Sequence, residues 1–173
     1  ALAGALSLTG VGVPAALAAD TGAFGQVNAA APLRADADGF TIDDGVLVSY
    51  TGSATQVRIP EGVTEISTNA FSGAQVTSVW IPASVRAIDD SAFAGQPLTQ
   101  VTFQDDDAHP SQLETIGDRA FTYTALESVT LPRSVKTVGQ ETFSDMEKLR
   151  SVHIGANVEE DGLFAAFART PLL

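Results

Sequence analysis

The sequence contains no cysteine, one methionine, one tryptophan and two histidines among its 173 residues. Without thiols there can be no disulfide, thiolate zinc site, iron–sulfur cluster or cysteine nucleophile. Positive charge is also scarce, with 9 Lys and Arg against 21 Asp and Glu and a formal net charge of −12. Nucleic-acid binding and docking on anionic lipid both draw on Lys and Arg, so neither partner is expected. There is no Gly-rich phosphate loop, dinucleotide fingerprint or G-x-S-x-G nucleophile turn. The two histidines, His109 and His153, sit in unrelated segments and form no Ser–His–Asp set. What is present is apolar: 45% hydrophobic residues exclude a wholly disordered chain, and the length suits a single domain.

Residues 1–19 carry no charge and close on Ala16-Leu17-Ala18. An apolar run ending in an A-x-A pattern reads as the remnant of a secretory signal peptide, cut near Ala18 or Ala19. The competing reading is one membrane helix, against which stand Gly10, Gly12, Pro14 and the missing flanking charges. Export predicts a secreted or cell-surface bacterial protein, not inserted in a membrane after cleavage, with a mature chain starting near Asp20. Residues 20–38 are small and aperiodic and read as a flexible linker.

From residue 57 the chain repeats. Segments starting at Val57, Val79, Val101, Val129 and Val152 align with spacings of 22, 22, 28 and 23 residues. The long third spacing holds an insert of six residues at 105–110. The first column pairs Val57 with Ile59, Val79 with Ile81, Val101 with Phe103, Val129 with Leu131 and Val152 with Ile154. Period-2 alternation of β-branched residues predicts a short strand with two side chains inward. Pro60, Pro82 and Pro132 follow and end the strand, since proline cannot donate to a ladder. A second apolar pair follows, Val63/Ile66, Val85/Ile88, Leu113/Ile116 and Val135/Val138. Next come Ala70-Phe71, Ala92-Phe93, Ala120-Phe121, Thr142-Phe143 and Ala166-Phe167, which predict a stack of rings, one per coil. Val76, Leu98, Leu126, Leu149 and Leu172 close each coil.

Twenty-two residues hold a strand, a corner, a second extended piece and one helical turn. Such a coil cannot bury its apolar side alone and must stack on its neighbours. The predicted fold is therefore a mostly β repeat solenoid with short helical turns, of about five coils over residues 57–173. Before it, residues 39–56 read as a capping hairpin: strands at 40–42 and 46–50 around an Asp44-Gly45 turn. No polar cap follows Leu173, so further repeats or another domain are expected beyond it.

The pattern V-x-I-P-x-x-V-x-x-I-x-x-x-A-F resembles the BspA-like leucine-rich repeats of bacterial and protozoan surface proteins. The family often carries Gly after the Ile; Gly117 and Gly139 fit, whereas Ser67 and Asp89 depart. It often carries Cys three residues after the Phe; here Ala74, Gln96, Thr124 and Met146 replace it. The resemblance implies a leucine-rich-repeat stack and a function in surface display and adhesion.

Between the two inward residues of each first strand sit Arg58, Trp80, Thr102, Thr130 and His153, flanked by Gln56, Ser78, Gln100, Ser128 and Ser151. These are expected to line one face of a parallel sheet. A Trp among Arg, amide and hydroxyl groups has the composition of a partner-binding surface. The alternative is that Trp80 packs locally, under the insert or against the hairpin. Stacked coils are expected to make a smooth surface rather than a cleft, which argues against a glycosidase-type carboxylate pair. Asp105, Asp106 and Asp107 with His109 make the one plausible Ca²⁺ or Mg²⁺ cluster, but they lack EF-hand spacing and are read as a solvated loop that tolerates insertion. No enzyme activity, cofactor or metal is expected. The expected role is a monomeric extracellular module that binds a protein or glycoprotein ligand, such as a host matrix component or another cell surface. The alternative is a structural spacer or accessory repeat domain attached to an enzyme or anchor.

Overall fold

The computed structural model describes residues 38–155, 157–158, 163 and 165–171. The signal-like segment, residues 20–37 of the linker and Leu172 lie outside the described residues. The chain begins with a hairpin of β1 (Phe40–Asp43) and β2 (Val46–Tyr50), antiparallel around a turn in which Asp44 and Gly45 both have positive φ, 45° and 81°. Two successive left-handed residues are what a tight two-residue hairpin turn requires.

The first four coils then contribute two short strands each, and the fifth contributes one among the described residues. The first strands are β3 (Gln56–Arg58), β5 (Ser78–Ile81), β7 (Gln100–Phe103), β9 (Ser128–Thr130) and β11 (Ser151–His153). The second strands are β4 (Glu65–Ile66), β6 (Ala87–Ile88), β8 (Thr115–Ile116) and β10 (Thr137–Val138). The second strands pair in parallel and, with the hairpin, form one unbroken sheet in the order β1-β2-β4-β6-β8-β10. Strand β2 places Leu47 beside Ile66, so the hairpin continues the second-strand column as well as covering the first coil.

The expected helical turn takes a different form in the first coils. Ala70, Ser72 and Ala74 donate to the carbonyls of Ser67, Asn69 and Phe71, a run of reverse turns. The run is threaded through left-handed residues: Asn69, Ser91, Arg119 and Glu141 occupy one column, and Gly73, Gly95, Tyr123, Asp145 and Arg169 another. A single helical turn would satisfy its bonds within the coil. Here the amides of Asn69 and Phe71 instead bond to Asp90 and Ala92 of the next coil. The ring residue's N–H donates to the carbonyl of the next coil's small residue: Tyr50 to Ala70, Phe71 to Ala92, Phe93 to Ala120, Phe121 to Thr142 and Phe143 to Ala166.

That stitch sets the ring register. Phe40, Tyr50, Phe71, Phe93, Phe121, Phe143 and Phe167 stack in order, with successive centroids 4.6–5.8 Å apart. The central rings Phe71, Phe93, Phe121 and Phe143 are fully buried. The small neighbours Ala70, Ala92, Ala120, Thr142 and Ala166 are buried too. Gln96 stands where the family favours Cys. Its amide donates to the carbonyl of Phe71 and accepts from the N–H of Val76, so a buried polar group is satisfied across two coils.

The glycines after the Ile also have a physical cause. The Asp90 carboxylate accepts from the N–H of Asp118, and the Asp118 carboxylate accepts from the N–H of Gln140, each at 2.8 Å. Each carboxylate reaches under the next coil, where Gly117 and Gly139 leave room for it. Asp89 carries a carboxyl held above its ordinary range by partial burial and by the neighbouring Asp90.

Candidate interaction face

The first strands do not form one continuous sheet. Strands β3, β5 and β7 make a three-stranded parallel sheet, and β9 and β11 make a separate two-stranded one. The registers align the central column: Arg58 with Trp80, Trp80 with Thr102, and Thr130 with His153. All five expected face residues thus have an aligned neighbour, three in one sheet and two in the other, and the break falls between Thr102 and Thr130. Thr102, Thr130 and His153 are exposed; Arg58 and Trp80 are half-buried.

Trp80 is covered by its register partner in the adjacent coil. The Arg58 guanidinium lies 3.5 Å from the Trp80 ring centroid and also reaches Glu61 at 3.6 Å. A guanidinium over an indole face is a cation–π contact, and it holds both side chains in place. The shared column was legible in the sequence but this contact was not; it arises because register neighbours in a parallel sheet lie one strand spacing apart.

The break opens a groove of about 450 Å³, lined among others by Val101, Thr102, Phe103, Asp105, Thr130 and Leu131. This corrects the expectation of a smooth surface. It also explains why Val101 and Phe103, expected inside, are only partly buried. The one carboxylate in the lining is Asp105, so the groove does not supply a carboxylate pair.

Local sequence explains the break. In the preceding coils a threonine starts each first strand: Thr77 donates its N–H to Thr55, and Thr99 donates to Thr77, with hydroxyl bonds alongside. Glu127 takes that position in the fourth coil. Arg150 donates to its carbonyl, but among the described residues no equivalent bond joins Glu127 back to Thr99. At the other end of β7, Gln104 replaces the corner proline. Its N–H donates to Ile81 and its side chain accepts from Ala83, so this corner is tied to the second coil, away from the fourth. The missing proline was the available signal.

The insert then folds on itself. Asp105 accepts from the N–H of Ser111, and Asp106 accepts from the N–H groups of Ala108 and His109 and contacts the His109 ring at 3.2 Å. The bond from the His109 N–H is the main cause that holds the Asp106 carboxyl below its ordinary range. Both carboxylates serve as caps of their own loop. Among the described residues no three His, Asp or Glu side chains converge as metal ligands.

On the turn side, Asp145 accepts two bonds from Arg169, at 2.7 and 2.8 Å, which lower its carboxyl pKa and raise that of the guanidinium. Arg119 and Glu141 pair one column away at 2.7 Å. These ion pairs join adjacent coils at exposed positions and are worth little individually.

No curated protein matches the chain. Among solved structures, a leucine-rich repeat protein from Bacteroides capillosus is 27% identical with a TM-score of 0.56, over 69% of this chain and 96% of that one. The pneumococcal vaccine antigen PcpA is 27% identical with a TM-score of 0.44, over 58% of this chain. A leucine rich cell surface protein from Faecalibacterium prausnitzii is 24% identical with a TM-score of 0.49, over 74% of this chain. The chain spans only 24% and 42% of the latter two proteins. The profile of the BspA type leucine rich repeat region matches residues 41–170 in 6 copies. The hairpin lies within the matched residues and shares features of the coils, since it supplies a second strand through Leu47 and a ring through Tyr50. With this match over most of its length, and with the stitched rings and parallel strands that the repeat specifies, the chain belongs to the BspA-type leucine-rich repeat family.

Proposed function

We propose that this chain is a non-catalytic, extracellular protein-interaction module that binds a protein or glycoprotein ligand through its first-strand face. The observation that carries this reading is the aligned row Arg58–Trp80–Thr102 on the outward side of one parallel sheet. Solenoids of this kind present repeated outward positions on a rigid scaffold, with specificity left to the side chains. An Arg–Trp pair already held by stacking loses little side-chain freedom on binding, which favours it as an anchor. The signal-like segment and the family's surface proteins support a secreted or cell-surface location. A net charge of −12 favours a ligand with a basic contact surface.

The test is binding to immobilised fibronectin, laminin and collagen, with wild type beside Trp80→Ala and a turn-side control, Lys148→Ala. The expected result is capture of at least one of the three, weakened about tenfold by Trp80→Ala, a loss of about 1.4 kcal/mol, and unchanged by Lys148→Ala. Capture of none of the three would favour the spacer reading, and capture that Trp80→Ala leaves unchanged would remove Trp80 as the anchor.

A further inference from the structure

We infer that the groove between β7 and β9 accepts an extended peptide segment of the partner, with a basic residue beside Asp105, as an added β-strand. This rests on the reading of the first-strand face as the binding surface and names what its groove takes.

The inference starts from main-chain direction. In a parallel ladder, alternate residues turn their N–H and C=O groups to opposite neighbours. Ile59 donates to the carbonyl of Trp80, so Trp80 faces the first coil. Thr102 pairs in register with Trp80 and therefore faces the second coil, which leaves the main-chain groups of Val101 and Phe103 turned toward the fourth. Leu131 donates to the carbonyl of His153, so His153 faces the fourth coil and its register partner Thr130 faces the third. The two strand edges therefore confront each other across the groove without a ladder between them.

Elsewhere these coils remain joined. Strand β8 pairs with β10, and the Phe121 and Phe143 rings stack at 5.8 Å, nearly parallel. The separation is thus a wedge, closed on the ring side and open on the strand face. Unpaired strand edges are templates for another chain, and strand addition satisfies them with main-chain bonds while alternate side chains fill pockets. Here the half-buried Val101 and Phe103 give an apolar floor for one set of side chains. Threonine and serine hydroxyls line the rim for the other set, and Asp105 stands at one end. The volume of about 450 Å³ lies in the range of specific ligand sites, ~300–1,000 Å³.

The probe is a synthetic Val-Thr hexapeptide, blocked at both termini, carrying one Lys at either end; an uncharged Val-Thr hexapeptide is the control. Amide hydrogen exchange of the whole chain reads the contact. Peptide is expected to slow exchange at Phe103 and Thr130 at least tenfold and to leave the β8 and β10 amides unchanged. Thr130→Pro removes an N–H that faces the groove and makes no ladder bond, and should weaken peptide binding at least tenfold. Asp105→Lys should weaken the Lys-bearing peptide and spare the uncharged one. If Thr130→Pro fails to fold, the exchange data and Asp105→Lys decide. No protection at millimolar peptide, which would mean that water alone fills the groove, overturns the inference, as does full affinity in folded Thr130→Pro. The two readings fail separately. Matrix binding lost in Trp80→Ala with no peptide protection sinks strand capture alone, whereas peptide protection with Trp80→Ala fully active removes the Trp80 anchor alone.

Discussion

Phe93→Ala is expected to destabilise the fold by about 3–5 kcal/mol, the cost of emptying a core of an aromatic side chain. Phe93 is fully buried, with its ring 4.6 Å from Phe71 and 5.3 Å from Phe121 by centroid. Two coil interfaces meet at this ring, so its loss weakens both. In a stack stabilised only by nearest neighbours, an interior defect divides the array. The flanking layers are held by main-chain bonds from Phe71 to Ala92 and from Phe93 to Ala120, which limits collapse into the vacated space. For a chain of this size the loss corresponds to a fall in Tm of about 10 °C. Thermal denaturation followed by circular dichroism measures it. An unchanged Tm would mean that the ring layer does not hold the coils together.

Gly117→Ala is expected to cost about 1–3 kcal/mol although it adds a single methyl group. A Cβ at this position would stand 2.5 Å from the Asp90 carboxylate, 2.7 Å from the Asp90 nitrogen and 2.8 Å from the Asp89 carbonyl carbon. Two of these atoms are main chain of the preceding coil, so relief requires the coils to separate. The same shift pulls the Asp90 carboxylate from the Asp118 N–H. Gly95→Ala provides the contrast. A Cβ there meets nothing within 4 Å, and its cost is that of a left-handed backbone alone. Equivalent positions in later coils already hold Tyr123, Asp145 and Arg169 in that conformation. Denaturant titration should rank Gly117→Ala well below Gly95→Ala in midpoint. Equal midpoints would remove the steric account of the glycine column.

The repeat made much of the fold legible. The apolar columns gave the strands, and the small-residue–Phe pairs gave the ring stack, because a 22-residue unit has few ways to bury that pattern. The glycine column was visible, but its cause was not. Gly117 follows a coil carrying Asp90, and Gly139 follows one carrying Asp118, a dependence between coils that appears only once carboxylate and glycine are seen in contact. The reverse turns were hidden because Arg119 and Glu141 give no sequence hint of left-handed backbone, and stacking overrides their local preference. The five face residues could be placed by column. The groove that divides them was marked only by the missing proline at Gln104, since the length of the insert says nothing of where Glu127 and Gln104 direct their main-chain bonds.

Two faces of the solenoid run unbroken through the third and fourth coils, while the first-strand face is open there. Amide hydrogen exchange on the free protein tests this most directly. Thr102, whose N–H faces the second coil, and the paired amides of β8 and β10 are expected to be protected. Phe103 and Thr130 are expected to exchange orders of magnitude faster, as unpaired edge amides do. Uniform protection across β7 and β9 would contradict the account and restore a continuous sheet with no groove in its interaction face.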